Sequence, residues 1–205
     1  MAFITDKQTL DDLNIFGKHG NDSVFSLYNR TSTSGGAALL EEMFVLPLSD
    51  ANSINERTGI IRQFTELNIT FPFDTELFAM VEYYLSNTDE RTKISHDQTT
   101  ISKRLINMIA ADNDYKTLHK GVISLKDIIV RLYDFVNTVQ VNQKSSYSRE
   151  QQAILSLLKT EPFHELIEKR KETLNATQVA TYDTVFRFKQ RNAIRQILQF
   201  IYLSD

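Results

Sequence analysis

The clearest hydrophobic pattern in the chain lies between Leu118 and Val139. There Leu118, Val122, Leu125, Ile129, Leu132, Val136 and Val139 recur at alternating spacings of 4 and 3 residues. This three-heptad seam predicts a helix that buries one stripe along its length. Ile128 and Phe135 widen the stripe, which favours packing in a bundle over a two-stranded coil. The same period predicts further helices. Leu39, Leu40, Met43 and Phe44 lie on one that begins near Ser34. The next turns Ile54, Ile61 and Phe64 inward and leaves Arg57 among polar neighbours. Another runs from a cap at Asp74 to Tyr84 or Leu85, and a fourth carries Ile101, Leu105, Met108 and Ile109 to an end near residues 112–114. Segments 150–158 and 162–172 complete the set, with Pro162 in the first turn, where its missing N–H costs nothing. Polar stretches at 86–98 and 140–148 read as loops.

The last predicted helix starts near Ala176 and still carries Ile194, Ile197, Leu198, Ile201 and Leu203 at its end. A helix of roughly 30 residues spans about 45 Å. A periodic helix of that length with no stop signal is expected to continue into a further segment. Glycine placement divides the chain: five of its six glycines lie at or before Gly59, and only Gly121 comes later. Residues 1–73 therefore hold the turns and 74–205 form a helical bundle, with Phe71-Pro72-Phe73-Asp74 at the joint.

Composition narrows the chemistry. The 205 residues, 41% hydrophobic and 24% charged, suffice for a real core. With 23 basic and 26 acidic residues the net charge is −3, so any nucleic-acid contact must be a local patch. The chain has no Cys, which removes disulfides and thiolate metal sites. The N-terminal Met-Ala-Phe-Ile-Thr-Asp-Lys lacks the pattern of a secretory leader, and no run is apolar enough for a membrane, so a cytoplasmic location without membrane contact is expected. The Asn-x-Ser/Thr triplets at Asn21, Asn29, Asn68 and Asn175 then read as chance matches.

Few residues offer catalytic chemistry. In His164-Glu165-Leu166-Ile167-Glu168 positions i and i+4 share a helix face, but the second ligand of a zinc-protease helix would be His, and a solvated face explains the pair better. His19, His96 and His119 show no ligand spacing. Glu41 and Glu42 are adjacent and point apart. No Gly-x-x-x-x-Gly-Lys-Ser/Thr occurs, so no catalytic, cofactor or metal site is assigned to this chain. Two basic groups remain. Arg187, Arg191 and Arg195 repeat every fourth residue, and Lys169, Arg170 and Lys171 cluster at the end of the preceding helix. They are the candidates for nucleic-acid or partner contact, with Phe186 and Phe188 as candidate stacking surfaces. The plainer reading is a solvated face in which Asp183 pairs with Arg187 and Glu165 with Lys169.

One ordered set of residues goes further. In the stretch from Leu27 to Arg57, Thr31, Ser32, Thr33 and Ser34 offer hydroxyls to a starting helix, Gly35 and Gly36 allow close approach, and Pro47 ends the helix. Ser49 or Asp50 then caps the next. Thr31, Thr33, Gly36, Leu39-Leu40, Pro47-Leu48, Asp50, Ile54 and Arg57, in this order and without a gap, resemble the opening of the core domain of MutS-family mismatch-repair proteins. The resemblance covers roughly Thr9 to Phe64, with Leu10, Leu13 and Ile15 in the lead-in. The family usually has Arg at the position of Ala38 and Trp at that of Met43, so the chain looks like a divergent member. Phe64-Thr65-Glu66 spells the family's DNA-wedging triplet, but it falls on a core helix, where Phe64 is expected to be buried.

The resemblance implies an all-α, multihelical core with long lever-like helices, similar to MutS domain III. It also implies a downstream ATPase domain that binds ATP and Mg, DNA as the partner of the complete protein, and a homodimer formed through that ATPase domain. This segment would couple the DNA end to the ATPase and do no chemistry itself. The rival expectation is a stand-alone helical protein–protein interaction module.

Overall fold

The computed structural model describes residues 5–17, 22–87, 113–139 and 145–205. The fold is all-α: among the described residues there are ten α-helices, one π-helical segment and no strand. The helices are α1 (Lys7–Asp12), α2 (Val24–Tyr28), α3 (Ser34–Val45), α4 (Ala51–Leu67), α5 (Thr75–Ser86), α6 (Asn113–Thr138), α7 (Ser146–Leu158), α8 (Phe163–Glu168), α9 (Ala176–Thr184) and α10 (Arg191–Ser204). The π segment is Val185–Lys189. The predicted helix around Ile101 to Ile109, most of the loop at 86–98, His19, His96 and Asn21 lie outside the described residues.

Packing divides the chain into two compact units. One comprises Met1–Phe71, Val139–Gln152 and Gln199–Asp205; the other comprises Pro72–Thr138 and Ala153–Leu198. In the second unit α6 is the central element, with α5, α8 and α9 packed on it. Its 26 residues give a rod of about 39 Å. The heptad seam is its buried stripe: from Leu118 at 7% exposure to Val122, Leu125, Ile129 and Leu132 at 0%, with Ile128 and Phe135 also buried. Each such side chain stabilises the unit by about 1.5–3 kcal/mol. Phe73, Phe78, Leu158, Phe163, Leu166, Phe186 and Ile197 are buried in the same unit. Gly121 lets the ring of Tyr84 sit against the α6 backbone, where any Cβ would overlap that ring.

The first unit is held differently. Phe16, Phe25, Tyr28 and Phe44 form a cluster of tilted and edge-on rings. Tyr147 sits between Phe64 at 5.0 Å and Phe200 at 5.3 Å. The predicted caps are in place. The Thr33 hydroxyl accepts from the Gly36 N–H at 2.9 Å and starts α3, and the Asp50 carboxylate accepts from the Ser53 N–H at 2.8 Å and starts α4. Asp74 occupies the cap position of α5, yet its carboxylate is taken by Arg131 at 3.2 Å.

Four expectations are corrected. On α4, Ile54 and Ile61 are 41% and 59% exposed; the half-buried face is Ser53, Arg57, Ile60, Gln63 and Phe64. One step along a helix turns a side chain by about 100°, so a stripe read one position off lands in solvent. Phe64 is accordingly half-buried, against Tyr147. The second correction concerns α7, which starts at Ser146 because the Ser145 hydroxyl caps the Ser148 N–H at 3.1 Å. The helix predicted to reach residue 172 ends at Glu168: the Lys126 ammonium donates to the Glu172 carbonyl at 2.6 Å and the Lys169 carbonyl at 3.4 Å and satisfies a turn instead. Lastly, the long terminal helix is interrupted by the π segment and by Gln190, which leaves helical geometry at φ −113°, ψ 25°.

Candidate site: a buried ion pair beside a basic helix face

α9 opens with a capping box in which Asn175 and Gln178 satisfy each other's backbone N–H. This start places Val179, Ala180, Tyr182, Asp183 and Thr184 inward. Asp183 is fully buried and Arg187 is 4% exposed. They meet fork to fork, with Nε donating to Oδ1 and Nη2 to Oδ2, both at 2.6 Å. The Tyr84 hydroxyl donates to the same Oδ1 at 2.8 Å, and Arg187 Nη1 donates to the Asn87 carbonyl at 3.1 Å. The guanidinium lies 4.9 Å from the centre of the Phe188 ring and 5.7 Å from that of Tyr84. Burial works to lower the Arg187 guanidinium, but its bonds and charge contact with Asp183 outweigh this and raise it. Burial, and then the Asp183 charge, push the Tyr84 phenol far up, so it stays a donor.

Arg187 therefore leaves the basic stripe and belongs to the interior. The physical reason is the π segment: its wider turn breaks the register in which every fourth residue shares a face. Arg191 and Arg195 stay together, one turn apart on the exposed side of α10, opposite buried Ala193, Ile194, Ile197 and Leu198. Phe186 is buried and Phe188 half-buried, which places the two rings in the packing. Lys169, Arg170 and Lys171 are exposed in the turn after α8. The Lys169 ammonium pairs with Glu165 at 2.7 Å, and Arg170 pairs with Asp134 at 3.1 Å. The Lys169 hydrogen bond, and secondarily that from Tyr182, hold the Glu165 carboxyl below its usual range. Among the described residues Lys171, Arg191 and Arg195 make no ion pair. His164 lies between Glu161 at 3.8 Å and Glu168 at 3.7 Å. Among the described residues no three His, Asp or Glu side chains group as metal ligands.

The sequence pointed to the Asp183–Arg187 and Glu165–Lys169 pairs through their i,i+4 spacing. It gave no sign that Tyr84, 99 positions from Asp183, completes the first. The isolated late glycine, Gly121, was the available signal, because it marks the seat of that ring.

An all-α, multihelical fold with the Thr33 and Asp50 caps at the expected places is what the family resemblance implies. The MutS domain III family model matches residues 8–201. The chain belongs to the MutS domain III family. No curated protein and no solved structure gives a match. Domain III is a non-catalytic core domain of MutS mismatch-repair proteins. In this MutS domain III no helix among the described residues is long and apolar enough to cross a membrane.

Proposed function

We propose that this MutS domain III is the core and lever segment of a cytoplasmic mismatch-repair ATPase, coupling DNA binding to ATP binding and hydrolysis in a downstream domain. In that protein ATP and Mg sit in the ATPase domain, through which two copies dimerise. The observation that carries the reading is the family match over nearly the whole chain. The buried seam of α6 supports it, because a lever must be stiff. Of the basic candidates, Lys171, Arg191 and Arg195 are the cations offered to a phosphate backbone. Lys169 and Arg170 would join them by exchanging carboxylates for phosphates. Arg187 serves the interior.

The test is ATP hydrolysis by the full gene product with homoduplex, heteroduplex and branched DNA. Stimulation by one of these is expected, with no hydrolysis by residues 1–205 alone. A rate indifferent to all three overturns the coupling. A second reading is a helical protein–protein interaction module. The exposure of Leu13, Leu27, Tyr28, Ile54 and Ile61 favours it, and a gene product without nucleotide binding would decide for it.

A further inference from the structure

The segment Ser32 to Gly36, which carries the family resemblance, is also where the end of α10 is held. The Asp205 N–H donates to the Ile201 carbonyl at 3.0 Å, so Asp205 continues the helical bonding one residue past α10. Its carboxylate accepts four hydrogen bonds from three donors. The Ser32 N–H reaches Oδ1 at 2.9 Å and Oδ2 at 3.1 Å, and the Thr33 N–H and hydroxyl reach Oδ2 at 2.8 and 2.7 Å. These groups precede the first turn of α3, where the helix dipole favours a negative charge. Both glycines are shaped to this contact. A Cβ on Gly36 would overlap the Asp205 carboxyl, and one on Gly35 would overlap the Tyr202 ring.

We propose that Asp205 and the Ser32–Thr33 backbone form a polar latch that fastens the last turn of α10 to the start of α3 and can open without unwinding either helix. Thr33 makes this separation possible. Its hydroxyl oxygen accepts from the Gly36 N–H while its hydrogen goes to Asp205, so the cap of α3 survives when the carboxylate leaves. In this turn Ile201 is buried, Tyr202 is half-buried with its ring on Gly35, and Leu203 is 44% exposed, so the direct hold on the start of α3 is the carboxylate and the Tyr202 ring. Charge-assisted bonds at a part-buried site hold firmly in one geometry and exchange readily for water in another. The latch stands on contacts within this chain and does not depend on the mismatch-repair reading.

Residue-resolved amide exchange on the 205-residue protein tests it without DNA or nucleotide. In Asp205→Ala the Ser32 and Thr33 amides should exchange about tenfold faster or more, while the Gly36 amide keeps its protection. Gly36→Ala should reproduce the increase at Ser32 and Thr33 by displacing the carboxylate, and Asp205→Asn should fall between parent and Ala. In melting experiments the double variant Asp205→Ala, Thr33→Val should lose less than the sum of the two single losses, because the two side chains act through one contact. Unchanged exchange at Ser32 and Thr33 overturns the latch. So does an equal rise through α3 and α4, which would make Asp205 a general stabiliser.

Discussion

Replacing Arg187 by Met removes the guanidinium and keeps much of its apolar stem. Asp183 is then left with no exposed surface and one partner, the Tyr84 hydroxyl at 2.8 Å, in place of three bonds. The Asn87 carbonyl loses a donor as well. Taking one member from a buried pair costs about 3–5 kcal/mol, because a charge stays behind without its counter-charge. With a denaturant dependence of about 1–3 kcal/mol per molar urea, the midpoint of helix loss by circular dichroism should fall by about 1–5 M. Asp183→Asn combined with Arg187→Met should recover most of the loss, since a neutral amide can accept from Tyr84 at little desolvation cost. A variant within about 1 kcal/mol of the parent would refute the account. A double variant no better than Arg187→Met would do the same, since packing alone would then explain the loss.

Gly121→Ala should destabilise the protein by about 1–3 kcal/mol through overpacking of the Tyr84 ring. Gly59→Ala, whose Cβ meets nothing within 4 Å inside α4, should stabilise by about 0.5–1 kcal/mol; thermal melts with the same sign would contradict one of the two placements. Tyr147 is pushed up to about 12 by burial, against its Ser204 hydrogen bond, and Tyr84 is raised further. A phenol whose folded value exceeds the unfolded one of about 10 stabilises fully below that pH and loses this contribution as pH rises toward the folded value. The stability of Tyr84→Phe and Tyr147→Phe should therefore fall less than the parent's between about pH 10 and 12, and parallel curves would refute it. The isolated chain, at net charge −3, should bind duplex DNA weakly. Reversing Lys171, Arg191 and Arg195 should abolish low-salt binding in a mobility assay with little change in melting temperature, and unchanged binding clears these residues of the role.

What was legible in the sequence is what short-range physics writes there. The caps at Thr33 and Asp50 need only a hydroxyl or carboxylate three residues before an amide. The α6 seam announces itself because its stripe runs uninterrupted for three heptads. The failures have the opposite character. Ile54 and Ile61 look inward because apolar residues usually are, but which side of α4 is covered depends on Tyr147, far from Phe64 along the chain. A π turn adds one residue and leaves the composition unchanged, so the step from Arg187 to Arg191 looked like every other i,i+4 step. Asp205, 172 positions from Thr33, carries no local mark of its partner.

A heptad seam is strong in burial and weak in position. Sliding a neighbour along α6 by one heptad, about 10.5 Å, would meet a similar stripe and bury a similar area. The second unit removes this freedom with contacts that have no equivalent one heptad away. Gly121 receives the Tyr84 ring of α5. Five residues on, Lys126 holds the carbonyls after α8. Five further, Arg131 reaches the Pro72 carbonyl at 3.0 Å and the Asp74 carboxylate at the head of α5. Two of these pegs fix α5 at points about 15 Å apart along α6, so α5 can neither slide nor rotate without breaking one of them. Lys126, on the α8 side, does the same for the turn that carries Lys169 to Lys171. The polar contacts add little to total burial, yet they convert a greased seam into a fixed one, and only a fixed seam lets a push on one helix arrive at its neighbour as displacement instead of slip.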